Sequence, residues 1–415
     1  MQEHNKIIKV CDNIIEWLIY ISIFWMPFFK AGLEIGISLM FLVWVIKRVA
    51  IHSFIEHRSR QFRPVNATLN FAIGIFIAVA FVSVFQSDFF SKSLQAFFFR
   101  LLEWVFVYVV VIETINSKLR LERLGKAIVL SAVVVVINAI AQYIMGIDLI
   151  CGRELVQGKI TSCFGHFNTL AMYLGPIITI ISSFMLYLTK NRWQKIFLTV
   201  LILLLVLCMI FSGSRGGWVS LFFALLLVGF LRDKRMFAIL IIIAIIFLTT
   251  FLTNDRIREN NIVRFGDSGR ILIWKASLNM FRERPVFGYG INTFMYNYPR
   301  FMLRTAWEEY TSDLPHNCYL MIAVEMGIVG FLAFLYLLYA LFEIIFKSLA
   351  RMPKQDFFTG VLTGLLGALI CYLIHSFFDN NLQTMQTAFL FWFLVGVTIA
   401  TISIWQNENK AENAS

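Results

Sequence analysis

Apolar runs of about 20 residues recur along this chain, and a helix of that length is what crosses the roughly 30 Å hydrocarbon core of a bilayer. Twelve such runs can be drawn, at approximately 8–28, 32–50, 67–85, 94–116, 127–146, 168–189, 196–212, 216–231, 236–252, 318–346, 356–378 and 387–405. Composition agrees, since 59% of residues are hydrophobic and 15% charged, far from a soluble domain. With no water to satisfy backbone groups in lipid, runs this long must be helical. The expectation is an all-α polytopic integral membrane protein of about 12 transmembrane helices, forming a single integral membrane domain over 1–415. The two runs flanking Ser214 are short, and one re-entrant hairpin in their place stays open. No small-residue cleavage site follows the first run, which reads as a retained helix.

The distribution of Lys and Arg tests this layout, because cytoplasmic connections concentrate positive charge. With a cytoplasmic N-terminus, the clusters around Arg48, Arg123, Arg192, Arg235 and Arg351 all fall on the cytoplasmic side. The short outer connections then hold only Lys30, Lys92, Arg153, Lys159 and Arg215. Both termini face the cytoplasm in this reading, and the net charge of +11 reflects topology. It lacks the basic stripe of a nucleic-acid binder.

One connection breaks the rule. The long loop 253–317, about 65 residues, would lie on the periplasmic side yet carries nine basic side chains: Arg256, Arg258, Arg264, Arg270, Lys275, Arg282, Arg284, Arg300 and Arg304. Positive charge on the wrong side points to an anionic ligand. Within the loop, Ile271, Trp274, Leu278 and Phe281 recur at helical spacing, which predicts a short amphipathic helix on the membrane surface. Pro285, Gly288 and Gly290 end it.

The candidate chemistry gathers at the same face. Arg215, in SGSRGGW, is flanked by Gly213, Gly216 and Gly217, which permit close backbone approach. A guanidinium there can clamp a phosphate bidentately, although a headgroup-seeking arginine at a helix end fits the local sequence equally well. Arg270 opens the predicted loop helix and reads, on its own, as a solvated base. His316, in LPHNCYLMIAVEMGIVG, stands where the chain re-enters the membrane, and Gly327 lies about three turns on, on the same expected helix face. A neutral imidazole can accept a proton from a sugar hydroxyl near pH 7, against the blander reading of an interfacial structural histidine. His375 and Asp379, four apart, are both candidates to face that imidazole. Arg100 and Glu103, three apart within one run, can neutralise one another, and a structural pair and a functional one stay equally open. Cys151 and Cys163 share one short outer loop, and spacing leaves both a disulfide and two free thiols open.

Taken in order, SGSRGGW, GRILIW followed by RPVFGYGINTF, and HNCYLMIAVEMG resemble the O-antigen ligase and polymerase superfamily. CFGHFNTLAMYLG resembles its Gly-x-x-Asn element, with Asn168 at the matching place. The resemblance implies a GT-C type glycosyltransferase of about 12 spans in the bacterial inner membrane, with its active site facing the periplasm. It implies that Arg215 and Arg270 bind the pyrophosphate of an undecaprenyl-pyrophosphate-linked glycan donor. His316 would act as general base on the acceptor, a sugar of lipid A-core, with inversion at the anomeric carbon and no metal or other cofactor. The loop has no Asp-x-Asp pair to hold a metal, which agrees. The expected function is therefore O-antigen ligase in lipopolysaccharide biosynthesis. A repeat-unit polymerase is the nearest alternative, and a lipid-linked oligosaccharide flippase or transporter is the alternative of another class. A transporter calls for charges and broken helices at mid-membrane rather than a cluster at one interface.

Overall fold

A computed structural model describes residues 2–55, 67–232, 234–235, 237–239, 241–242, 269–302 and 314–412. They form α1 (Gln2–Trp25), α2 (Lys30–Ile55), α3 (Ala67–Val84) and a rod of α4 (Phe90–Ala96), a π-helical turn (Phe97–Leu102) and α5 (Glu103–Thr114). Next come α6 (Lys118–Met145), α7 (Phe167–Ser183) with a π-helical last turn (Phe184–Leu188), α8 (Arg192–Ser212) and α9 (Arg215–Arg232). After the undescribed stretch follow α10 (Gly269–Glu283), α11 (Phe294–Asn297), α12 (Cys318–Leu349), α13 (Phe357–His375) and α14 (Met385–Glu412).

Among the described residues, nine helical segments are long and apolar enough to cross a membrane: α3, the α4–α5 rod, α6, α7, α8, α9, α12, α13 and α14. The chain is a multi-pass membrane protein. α1 and α2, of 24 and 26 residues, coincide with the first two expected runs. The run expected at 236–252 falls largely outside the described residues. Around Ser214 there are two separate helices of 21 and 18 residues.

Local signals set the ends. Ser117 accepts the Arg120 N–H (3.4 Å), and Gly146, at φ 79°, stops α6 in the left-handed region. Asn191 accepts the Trp193 N–H (2.8 Å) to begin α8, and Asp356 accepts that of Phe358 (3.2 Å) to begin α13. α6 starts about nine residues before its expected run, because the basic residues read as a connection are its first turns. There Arg120 (2.7 Å) and Arg123 (3.2 Å) reach Glu16 of α1. Lys47 pairs with Asp12 (2.6 Å), and Arg48 with Glu113. These bases tie α1, α2, α5 and α6 together at that end.

α13 and α14 form the centre, with 83% and 94% of their apolar windows buried inside the protein against 33% for α8. A helix apolar all round belongs inside, and glycines let its neighbours close in. A Cβ on Gly364 would meet Ser183 Cβ at 2.9 Å, and one on Gly367 would meet Val228 Cγ2 at 2.9 Å. α7 and α9 therefore lie directly on α13, and this packing positions the site.

Candidate functional site

The polar residues of interest converge at the end of the bundle opposite the Glu16 and Glu113 pairs. α9 begins there with Ser214 as its cap, whose Oγ accepts the Gly217 N–H (3.3 Å) and donates to Asn168 Oδ1 (2.9 Å). Asn168, in the first turn of α7, thus locks the SGSRGG turn to the neighbouring helix. A Cβ on Gly217 would lie 2.8 Å from Ala171 Cβ, and one on Gly216 would lie 2.7 Å from Phe378 Cβ. The glycines flanking Arg215 do allow the close approach their positions suggest. Arg215 stands at the N-terminus of α9, where the helix dipole adds to its positive charge.

α10 carries Arg270. Its buried face, Ile273, Ala276 and Met280, joins Tyr289, Phe294, Tyr298, Met321 and Val324 in a small apolar core. Ile271, Trp274 and Leu278 remain exposed, so the helix has one face for the protein and an apolar one outside. Trp274 Nε1 donates to Pro315 O (2.8 Å), tying α10 to the residue before His316.

His316 has φ 47°, a left-handed conformation that a few per cent of non-glycine residues adopt. It is held by its neighbours: Asn317 N–H donates to Asn380 Oδ1 (3.1 Å), Cys318 N–H to Ser376 O (2.8 Å), and the Asn317 side chain caps α12 at Leu320 (3.0 Å). This stitching brings His316 Nδ1 to 3.2 Å from Asp379 Oδ1. Of the two groups that sequence offered to the imidazole, the structure selects Asp379. Burial on its own would raise the Asp379 pKa, but the hydrogen bond from His316 and the charges of His316 and His375 hold it down at about 2. The carboxylate is therefore ionised in any ordinary buffer and favours the tautomer in which His316 Nδ1–H donates to it.

His375, near enough for its charge to act on Asp379, makes no hydrogen bond with the imidazole. It is 1% exposed at the end of α13, neither ring nitrogen has a hydrogen-bond partner, and its Cδ2 lies 3.0 Å from a Cβ built on Gly216. Gly327 also departs from expectation. His316 precedes α12 rather than riding on it, and α12 breaks at Gly327 (φ 67°, ψ −170°), so no continuous helix face joins them. Gly327 instead receives the chain after α10. Ile328 N–H donates to Pro285 O (2.7 Å), and Tyr289 and Gly290 donate to Val324 O (3.1 Å) and Glu325 O (2.8 Å). The expected Arg100–Glu103 pair is not formed either, and Arg100 Nη1 donates to Asn292 Oδ1 (2.8 Å).

Two residues of the cluster escaped the sequence reading. His166 caps α7, its Nδ1 accepting the Asn168 N–H (3.2 Å). Burial lowers its pKa, with Asp379 opposing and His316, Lys159 and Arg270 reinforcing, so this ring is neutral near pH 7. Lys159 Nζ lies 4.0 Å over the Phe167 ring, while its stem packs on Gly213. The sequence signals were the place of His166 in CFGHFNTLAMYLG, two residues before Asn168, and that of Lys159 in the loop between Cys151 and Cys163. Those cysteines are disulfide-bonded, and Asp148 organises the loop by accepting the N–H groups of Cys151 (2.6 Å) and Arg153 (2.7 Å). Among the described residues the group with metal-ligand spacing is Asp148, Cys151 and Cys163, whose two thiols are spent in that bond.

A multi-pass helical protein with an arginine and histidine–aspartate cluster at one end of its bundle is the class this architecture defines. Residues 199–335 match the family model described as O-antigen ligase, and this segment contains Arg215, Arg270, His316 and Gly327. Asn168, His375 and Asp379 lie outside it. The chain is also similar to an uncharacterised protein of Haemophilus influenzae, 25% identical over 198 residues, which is 40% of this chain and 49% of that protein. The match thus spans about half the length of the curated relative.

Proposed function

We propose that the protein is an O-antigen ligase, a GT-C type inverting glycosyltransferase with twelve membrane crossings. It moves a glycan from undecaprenyl pyrophosphate to a sugar of lipid A-core on the periplasmic face of the inner membrane, with both termini cytoplasmic. The observation that carries the reading is the His316–Asp379 pair at 3.2 Å, set beside the arginine-bearing starts of α9 and α10.

With Nδ1 turned to Asp379, Nε2 is the nitrogen assigned to the acceptor hydroxyl. It takes the proton as the oxygen attacks the anomeric carbon, and the bond from that carbon to the pyrophosphate oxygen breaks. The electron pair leaves on the lipid pyrophosphate, whose growing charge Arg215 and Arg270 stabilise. Asp379 stabilises the imidazolium formed. The two guanidiniums supply the charge that a divalent cation supplies in other transferases, so the proposed chemistry needs no metal. Transfer unaffected by EDTA is the expected result, and loss restored by Mg²⁺ would overturn that part.

The deciding experiment is lipopolysaccharide gel analysis of a deletion strain complemented with wild type or His316→Ala, with a blot for carrier-linked glycan. Long chains that accumulate on the carrier and are missing from lipid A-core support a ligase dependent on His316. Core bearing a single repeat unit would identify a polymerase, and an unchanged ladder would remove the catalytic assignment.

A further inference from the structure

Arg100 has no part in the cluster above, yet it is an exposed cation ten residues into a membrane-crossing rod. Its neighbours on that surface are lipid-facing, with Phe98 48% and Phe99 71% exposed. A charge in such a place is costly unless something anionic meets it or it snorkels to water. The rod is also irregular at this point: Arg100 lies on the π-helical turn, a distortion that tends to occur at functional sites.

Besides a small one of about 80 Å³ that reaches Glu325, two cavities border Arg100. One, of about 330 Å³, contains Lys30 but also Glu34 and Glu103, so its walls carry no excess of positive charge. The other, of about 240 Å³, is lined by Lys92, Gln95, Phe99, Arg100, Asn292 and Tyr296 together with Ala96. No carboxylate lines it. Lys92, Gln95 and Phe99 follow at helical spacing, so two cations and an amide look across the cleft at the segment after α10. Asn292, at φ 57°, fixes the Arg100 guanidinium through Nη1, which uses one of its five N–H groups. The volume is several times the ~30 Å³ that one water molecule occupies in the liquid.

We propose that this cleft binds the phosphate headgroup of a membrane lipid, entering sideways from the leaflet on the side of the 285–297 segment. Arg100 and Lys92 hold the phosphate oxygens, Gln95 and Asn292 complete the polar wall, and the acyl chains run along Phe98 and Phe99. The cleft is walled by α4, its π-helical turn and the 292–296 segment, none of which forms the His316 cluster. It is therefore a second anionic site, whose existence does not depend on the transfer reaction proposed above.

The test uses the full chain in detergent micelles and native mass spectrometry. The probes are phosphatidylglycerol, bisphosphorylated lipid A and, as an uncharged control, diacylglycerol, with inorganic phosphate as competitor. Retention of a phosphate-bearing lipid should fall at least tenfold in Lys92→Ala/Arg100→Gln, as expected when charge-assisted hydrogen bonds are lost. Arg100→Lys should restore part of it, and Lys30→Ala should leave it unchanged. Stronger retention of either lipid names the headgroup and supports the site. Equal retention by wild type and the double variant, with matching thermal melting, would overturn it, as would displacement of the lipid by equimolar inorganic phosphate. Because the readout is binding, a failed ligase assignment would leave this result intact.

Discussion

His316 is held at φ 47° by hydrogen bonds from the residues after it to Ser376 and Asn380, so its conformation is imposed by another element. Such local strain persists where its surroundings over-determine it, and it tends to cluster at functional sites. For a base in glycosyl transfer, His316→Ala should lower the rate by roughly 10²–10⁴-fold in a carrier-lipid transfer assay. Asp379→Asn leaves the shape but removes the charge-assisted hydrogen bond, worth about 1.5–3 kcal/mol, and should cost ~10–100-fold. Equal activity of Asp379→Asn and wild type would remove Asp379 from the mechanism. The same carboxylate makes stability depend on pH. Its folded pKa, about 2, lies below the ordinary 3.8, so its contribution is complete above the ordinary value and is lost as pH falls through about 2. Melting in detergent between pH 5 and 2 should therefore fall more steeply for wild type than for Asp379→Asn. At this scale the sequence offered His316, Arg215 and Arg270 by residue type and order, but left His375 and Asp379 undecided. They are four apart, and only the turn after α13 determines which one meets the imidazole.

At the scale of elements, the break in α12 at Gly327 lets the 285–290 segment form backbone hydrogen bonds with it. A side chain there would meet both the left-handed φ and the Val286 carbonyl. Gly327→Ala should cost more than the ~1–2 kcal/mol of the φ penalty alone. Gly146→Ala, also left-handed (φ 79°) but facing open space, should cost no more than that penalty. Thermal melting of both variants checks the order, and equal losses would mean that the docking of 285–290 contributes nothing. The helices themselves were legible as apolar runs, and α10 as a periodic stretch ended by Pro285. The kink was not, since a glycine inside an apolar run reads the same whether the helix passes through it or breaks. α10 likewise puts Ile273 and Met280 inward while leaving Ile271 and Leu278 exposed, a choice between two apolar faces that periodicity cannot make.

For the whole molecule, the connections of the site end should be reachable from outside the cell. A cysteine placed at Gln86 should react with a membrane-impermeant maleimide in intact cells, and one at Asn191 only after permeabilisation. The reverse pattern would invert the topology and with it the donor assignment. The four unpaired native cysteines are buried, which keeps the background low. Hydropathy and charge alone determined that this chain lies in a membrane as helices, and roughly where each begins, because the bilayer selects for length and apolarity, which are local properties. The order of its motifs likewise pointed to the family whose model residues 199–335 match. Which helices stand at the centre, which of His375 and Asp379 meets His316, and that Arg100 turns to Asn292 rather than to Glu103 were decided only by tertiary packing. Those pairings join residues as much as 192 positions apart, and no local pattern records what will lie across the gap.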